Sequence, residues 1–398
     1  MGALLSVRRA GIAWLLLLIA GTVPSAQTPA QRQQAGAPAS SPASRALNAG
    51  QYDEVERLLK SATDPTSVAV RARAQVAQGR YQEAQTLLTP VASAQPDSDA
   101  ALELGLLELY LGHRAEGIRR LRLLAARLSP RTARDYFRLA RAASALANFE
   151  DAQAFKEANS FFRDANKLAP DDVGINTAWG ELFLDKHNPA DAMKSFAEAL
   201  KVDENHVDAL IGAAQVNSGM NPPAARAALE KALKINPSSV PAHLLQAELA
   251  LDDRERDAAR ESIKKALAVN PNSLEARSLV AALARLDDQS AEFEKLSQEV
   301  LKINPSYGEV YRVAGDHLAR NYRFDEAVEQ VQRAIKLDPD NTRAYSDLGT
   351  HLLRTGDEKG ARVALERAFK GDSFDQTTFN QLDLLDTIDK FVTISDGD

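Results

Sequence analysis

Four near-identical phrases, "LKINPSSVPAH", "LAVNPNSLEAR", "LKINPSYGEVY" and "IKLDPDNTRAY", place Pro237, Pro271, Pro305 and Pro339 at steps of 34 residues. Pro170 stands 67 residues before Pro237, with Glu204 at the intermediate position. A fixed period restricts the fold more than composition can. Each unit must be one supersecondary piece that cannot bury its own apolar face, so its neighbours must cover it and the chain must stack. Within a unit the apolar and small residues fall at helical spacing. One unit has Tyr311, Ala314, Gly315 and Leu318, then Ala327, Val331 and Ala334; the next has Tyr345, Leu348, Gly349 and Leu352, then Ala361, Leu365 and Ala368. Asn236, Asn270, Asn304 and Asp338 each precede a proline. Proline lacks an N–H and disfavours helix at the residue before it, so each unit ends there in a turn.

Gly180, Gly315 and Gly349 in the first helices, with Ala192, Ala327 and Ala361 in the second, suit a close crossing of two helices. The unit before Glu204 repeats the pattern with Trp179, Gly180, Phe183, Ala192, Phe196 and Ala199. This series resembles the tetratricopeptide repeat (TPR) consensus: an aromatic, Leu, Gly and an aromatic, then Ala, Phe, Ala and Pro. The resemblance implies an all-α, right-handed superhelical solenoid whose first helices line a concave groove. Upstream, "GRYQEAQTLL" and "AGQYDEVERLL" carry a diverged form of the unit, continued by Gly105, Gly117, Leu121 and Leu124. Pro130 and Pro170 lie 40 residues apart, and the excess is expected as a longer turn within "ALANFEDAQAFK". The reading is about ten units from roughly 43 to 375: diverged over 43–172 and regular over 173–375.

The ends differ from the array. Residues 1–26 carry Arg8 and Arg9, an apolar run from Ala10 to Ala20, and small residues at Val23–Ala26, as a secretory signal peptide does. The apolar run is too short for a comfortable membrane span. Its cleavage leaves no stable span in the mature chain. The expected location is therefore the periplasm or the exterior of a bacterial cell. Residues 27–42, "QTPAQRQQAGAPASSP", are too polar to order themselves and read as a disordered leader. Residues 376–398 read as a capping helix followed by a strand-like tail, "FVTISDGD". That tail resembles the lead-in to a zinc metallopeptidase-like domain found in some secreted TPR proteins.

No catalytic pattern stands out. The chain has no cysteine and six histidines, none in His-Glu-x-x-His spacing, and it contains no phosphate-binding glycine loop. No metal, cofactor or catalytic residue is expected, and the chain is read as a non-enzyme. A net charge of −7 and a pI near 5.6 argue against nucleic acid as the partner. Arg114 to Arg141 holds nine arginines against Glu116 and Asp135 and reads as a solvated, salt-bridged outer face.

The family's groove positions, carried over by the resemblance, fall on Glu181, Asp185, Asp208, Glu248 and Asp252. In the last units they fall on Arg285, Arg312, Arg320, Arg343 and Arg354, with Glu309 and Asp316 among them. An acidic half followed by a basic half suggests an extended partner of opposite polarity. The Lys and Asn set that clamps a C-terminal carboxylate in some family members is not matched. The expected function is an exported scaffold that binds a protein or peptide in its groove. The alternative is the accessory repeat region of a larger secreted, metallopeptidase-like hydrolase.

Overall fold

The computed structural model describes residues 41–149 and 152–391. These contain 21 helices and no strand. Ten antiparallel hairpins follow one another. The first five are α1–α2 (Pro42–Asn48, Tyr52–Leu59), α3–α4 (Pro65–Ala77, Tyr81–Ala94), α5–α6 (Asp99–Tyr110, Arg114–Arg127), α7–α8 (Ala133–Leu146, Ala152–Leu168) and α9–α10 (Val173–Asp185, Pro189–Val202). Next come α11–α12 (Val207–Met220, Pro222–Ile235), α13–α14 (Val240–Asp252, Arg256–Val269) and α15–α16 (Leu274–Leu286, Ser290–Ile303). The last two hairpins are α17–α18 (Glu309–Arg320, Phe324–Leu337) and α19–α20 (Thr342–Thr355, Glu358–Gly371), followed by α21 (Gln376–Ile388).

The repeated phrase is a stop-and-restart signal. In "NPSS" the Asn236 side chain accepts from Ser238 N at 2.9 Å, while Pro237 prevents the helix from continuing. Ser239 Oγ then accepts from Ala242 N at 3.3 Å and caps α13. Asn270 and Ser273 do the same before α15. Inside each hairpin the small residues meet as their spacing requires. A Cβ on Gly315 would lie 2.7 Å from Val331 Cγ2 and 3.1 Å from Ala327 O. One on Gly349 would lie 2.6 Å from Leu365 Cδ2 and 3.2 Å from Ala361 O. Ala192, Ala327 and Ala361 are fully buried.

The extra residues before Pro170 are not confined to a turn. The helix α8 has 17 residues where α10, α12 and α14 have 14, so much of the insertion lengthens the second helix. Order also begins within the segment read as leader: Ser41 caps α1 by accepting from Ser44 N at 3.0 Å. The signal segment, the leader up to residue 40 and residues 392–398 of the tail lie outside the described residues. Helix α21 packs on the last hairpin through Ser346 Oγ, which meets Asp375 Oδ2 at 2.8 Å and Thr378 Oγ1 at 2.7 Å.

The rotation accumulated over five hairpins brings the sixth onto the first, and the solenoid forms two stacked tiers. The helix-to-helix turns of the first tier press on the unit ends of the second. A Cβ on Gly50 would lie 2.7 Å from Asn236 Cγ, one on Gly79 3.0 Å from Asn270 Cγ, and one on Gly112 2.8 Å from Asn304 Cγ. Asn270 Nδ2 donates to Val76 O at 3.3 Å and to the Tyr81 hydroxyl at 3.1 Å. Asn304 Nδ2 donates to Tyr110 O at 3.0 Å. Arg114 reaches Asp340 at 2.8 Å, and Lys186 reaches Asp372 at 3.0 Å.

Candidate functional site

Successive first helices of the early hairpins present a row of charge to the concave side. Arg73 on α3 and Arg141 on α7 both bind Glu103 on α5, the latter at 2.5 Å. Burial opposes the charge on Glu103, but Arg141 and Arg73 outweigh it and hold the carboxyl down at about 2. Beside this group Asp99 meets Arg138 at 2.9 Å and accepts from Thr66 Oγ1 at 2.6 Å. It is buried, yet Arg138, Arg134 and Thr66 likewise keep its carboxyl at about 2. The ion pairs thus fasten hairpins two, three and four to one another.

Between the tiers lies a cavity of about 750 Å³. Its first-tier wall contains Leu47, Tyr52, Val70, Arg73, Glu103, Leu106, Tyr110 and Arg141; opposite are His206, Asp208, Val240, Pro241, Leu244 and Glu275. More of the wall is apolar than polar. Tyr81 and Tyr110 meet edge-to-face with ring centroids 5.5 Å apart, and the Tyr110 hydroxyl donates to Glu275 Oε2 at 3.0 Å. Burial, with the charge of Glu275, pushes the Tyr110 hydroxyl far up and keeps it protonated. Asp208, exposed at the start of α11, has no ion pair among the described residues. Glu181 on α9 also lacks one and retains water-accessible surface within the concave wall. Removal from bulk solvent and then the charge of Asp208 push the Glu181 carboxyl up to about 7, against Arg141 and Arg73.

The structure sorts the ten groove residues expected from the sequence. Asp185 pairs with Arg343 across 158 residues, and with Lys186 at 3.3 Å. Asp252 pairs with Arg320, which also reaches Asp316 at 2.8 Å. Arg285 binds Glu326, and Arg312 is held by Glu309 at 2.7 Å and Asp347 at 2.9 Å. Glu248 lies 3.5 Å from Nε2 of the buried His317. Two ion pairs, Asp185–Arg343 and Asp252–Arg320, thus join the acidic half to the basic half, while Arg285 and Arg312 are held by carboxylates of the basic half itself. Glu181, Asp208 and the exposed Arg354 remain without ion pairs among the described residues.

The arginine run also divides. Arg120 pairs with the buried Glu108 of its own hairpin at 2.7 Å, and Arg138 and Arg141 turn inward from α7, so the run is not one outer face. Sequence reading missed Arg73, Glu103, Arg141 and the three tyrosines of the cavity. A signal for two of them existed: Gly-x-Tyr recurs at Gly50–Tyr52 and Gly79–Tyr81. Among the described residues, no group of three His, Asp or Glu is placed to hold a metal ion, and no helix is long and apolar enough to cross a membrane.

Stacked helical hairpins with a concave inner wall define the class of protein: a helical-repeat solenoid suited to binding other proteins. Family models described as tetratricopeptide repeat match residues 46–108, 177–240, 221–283 and 312–375, together more than half of the chain. The chain belongs to the tetratricopeptide repeat family. Among solved structures it is similar to the APC/C hetero-tetramer Cut9–Hcn1, at 12% identity and a TM-score of 0.51, covering 85% of this chain and 68% of that one. Yeast Tom70 aligns at 16% identity, TM-score 0.42, covering 87% of each chain. A tetratricopeptide repeat protein from Parabacteroides merdae aligns at 16% identity, TM-score 0.42, covering 63% of this chain and 98% of its own. These likenesses concern the fold. No curated protein matches the chain.

Proposed function

We propose that this chain is an exported, non-enzymatic scaffold that binds an extended protein segment in the cavity between its tiers. The observation carrying this reading is the cavity itself: about 750 Å³, with more apolar than polar wall area and with charged and polar side chains such as Arg73, Glu103, Arg141 and Asp208 set among the apolar ones. A peptide site needs that combination, since apolar area supplies affinity and a few polar groups set orientation. Export rests on the apolar run behind Arg8 and Arg9.

A photo-crosslinking residue placed at Leu244, in the cavity, tests the binding mode against one at Val363, which is 70% exposed on the outer surface. Adducts with envelope proteins from the first position and not the second are expected; equal yields would defeat the reading. Fusing residues 1–42 to a reporter active only beyond the inner membrane tests export. An inactive reporter would remove that part alone.

A further inference from the structure

The cavity has an acidic excess that the fold leaves uncompensated. Arg73 and Arg141 both pair with Glu103, and at longer range they offset only part of the burial and Asp208 charge that act on Glu181. Asp208 enters the same wall with no ion pair among the described residues, where Glu275 accepts from the hydroxyls of Tyr110 and Ser273 at 3.0 Å. Glu181 does not line the cavity but lies close enough to interact with Asp208, and it too has no ion pair among the described residues. The other expected groove carboxylates meet a basic group of the chain: Asp185 pairs with Arg343 across 158 residues, Asp252 with Arg320, and Glu248 faces His317. The two groove carboxylates without an ion pair among the described residues are thus those at and beside the cavity.

Resting on the binding mode proposed above, we infer that the cavity takes a segment with one basic side chain flanked by apolar ones. The cation would sit by Asp208 and Glu181, with its neighbours against Leu47, Val70 and Leu244. A lysine or arginine arriving there gains charge-assisted contacts without breaking an existing pair. An acidic segment would meet like charge and be rejected. Aromatic rings such as Tyr52 add to the preference for a cation.

The probe is a fluorescein-labelled peptide with one lysine between two leucines, compared with the same peptide bearing acetyl-lysine or glutamate instead. Binding to the full chain is read by anisotropy. The lysine peptide is expected to bind about 10–100-fold more tightly than the acetyl-lysine one, since charge-assisted hydrogen bonds are among the stronger polar contacts. The double variant Asp208→Asn/Glu181→Gln, nearly isosteric at exposed positions, should abolish that difference and keep the weaker apolar binding. Equal affinity for lysine and acetyl-lysine peptides, both displaced by blocking position 244, would overturn the inference and leave the binding mode standing. Failure of every peptide to bind also overturns it. The binding mode itself falls if position 244 yields no more adducts than position 363.

Discussion

Gly79→Ala should cost far more than the same change at Gly356, although the two glycines share a backbone conformation. Their φ values are +72° and +85°, so either alanine suffers the left-handed penalty of about 1–2 kcal/mol. At Gly356 nothing lies within 4 Å of the new methyl, and the cost ends there. At Gly79 the methyl would overlap Asn270 Oδ1 and come within 3.3 Å of Asn272 Cβ. Asn270 must then rotate away. It loses its donations to Val76 O and the Tyr81 hydroxyl and the bond it accepts from Asn272 N. Because Asn270 is buried, losing these bonds adds roughly 2–4 kcal/mol, at about 1 kcal/mol for each.

Urea unfolding followed by far-ultraviolet circular dichroism and by Trp179 fluorescence measures both variants. A double-mutant cycle with Asn270→Ala separates the tier contact from backbone strain. Once the Asn270 side chain is gone, Gly79→Ala should cost only its backbone term. Equal losses for Gly79→Ala and Gly356→Ala, within about 0.5 kcal/mol, the usual scatter of additivity, would refute stacking of the tiers through these turns.

Ala327→Leu should destabilise by about 1–3 kcal/mol in thermal or urea unfolding, because the methyl is fully buried where α18 crosses Gly315. Asp99 and Glu103 have folded pKa values near 2, below their unfolded values, so the stability they contribute is complete above about pH 4.5, near the unfolded carboxylate value. It is lost as pH falls toward 2, and Glu103→Gln should flatten an acid titration of stability over that window. Glu181 behaves oppositely, since its folded pKa of about 7 lies above the unfolded value. The folded chain binds the extra proton, so this group's contribution falls as pH rises between about 4.5 and 7. Glu181→Gln should remove that slope, and affinity for the lysine peptide should increase from pH 6 to pH 8 in wild type only.

Much of the architecture was legible because the repeat is written in local chemistry. Proline and Asn end a helix, Ser or Asp starts the next, and Gly against Ala sets the crossing; each acts within one or two units. The diverged first half was harder to read because its units keep the glycines of the turns but lose the Asn-Pro phrase. The inner charges were legible as positions and not as partners. Their pairing depends on which helices face one another, one or two units along for Arg312 with Asp347 and Asp252 with Arg320, and nearly a full superhelical turn away for Asp185 with Arg343.

By itself, then, the sequence determined the hairpin, its caps, its period and hence the stacking of about ten units. Only the tertiary structure decided that five units complete a turn, since small rotations add along the array and no single unit contains their sum. That closure explains why glycine occupies the turn at 50, 79 and 112, under Asn236, Asn270 and Asn304, while His187, Arg254, Asp288 and Tyr322 adopt the same left-handed backbone elsewhere. It also brings Asp185 to Arg343 and leaves Asp208 and Glu181 without ion pairs among the described residues, because a charge's partner is set by distance in space and not by separation along the chain.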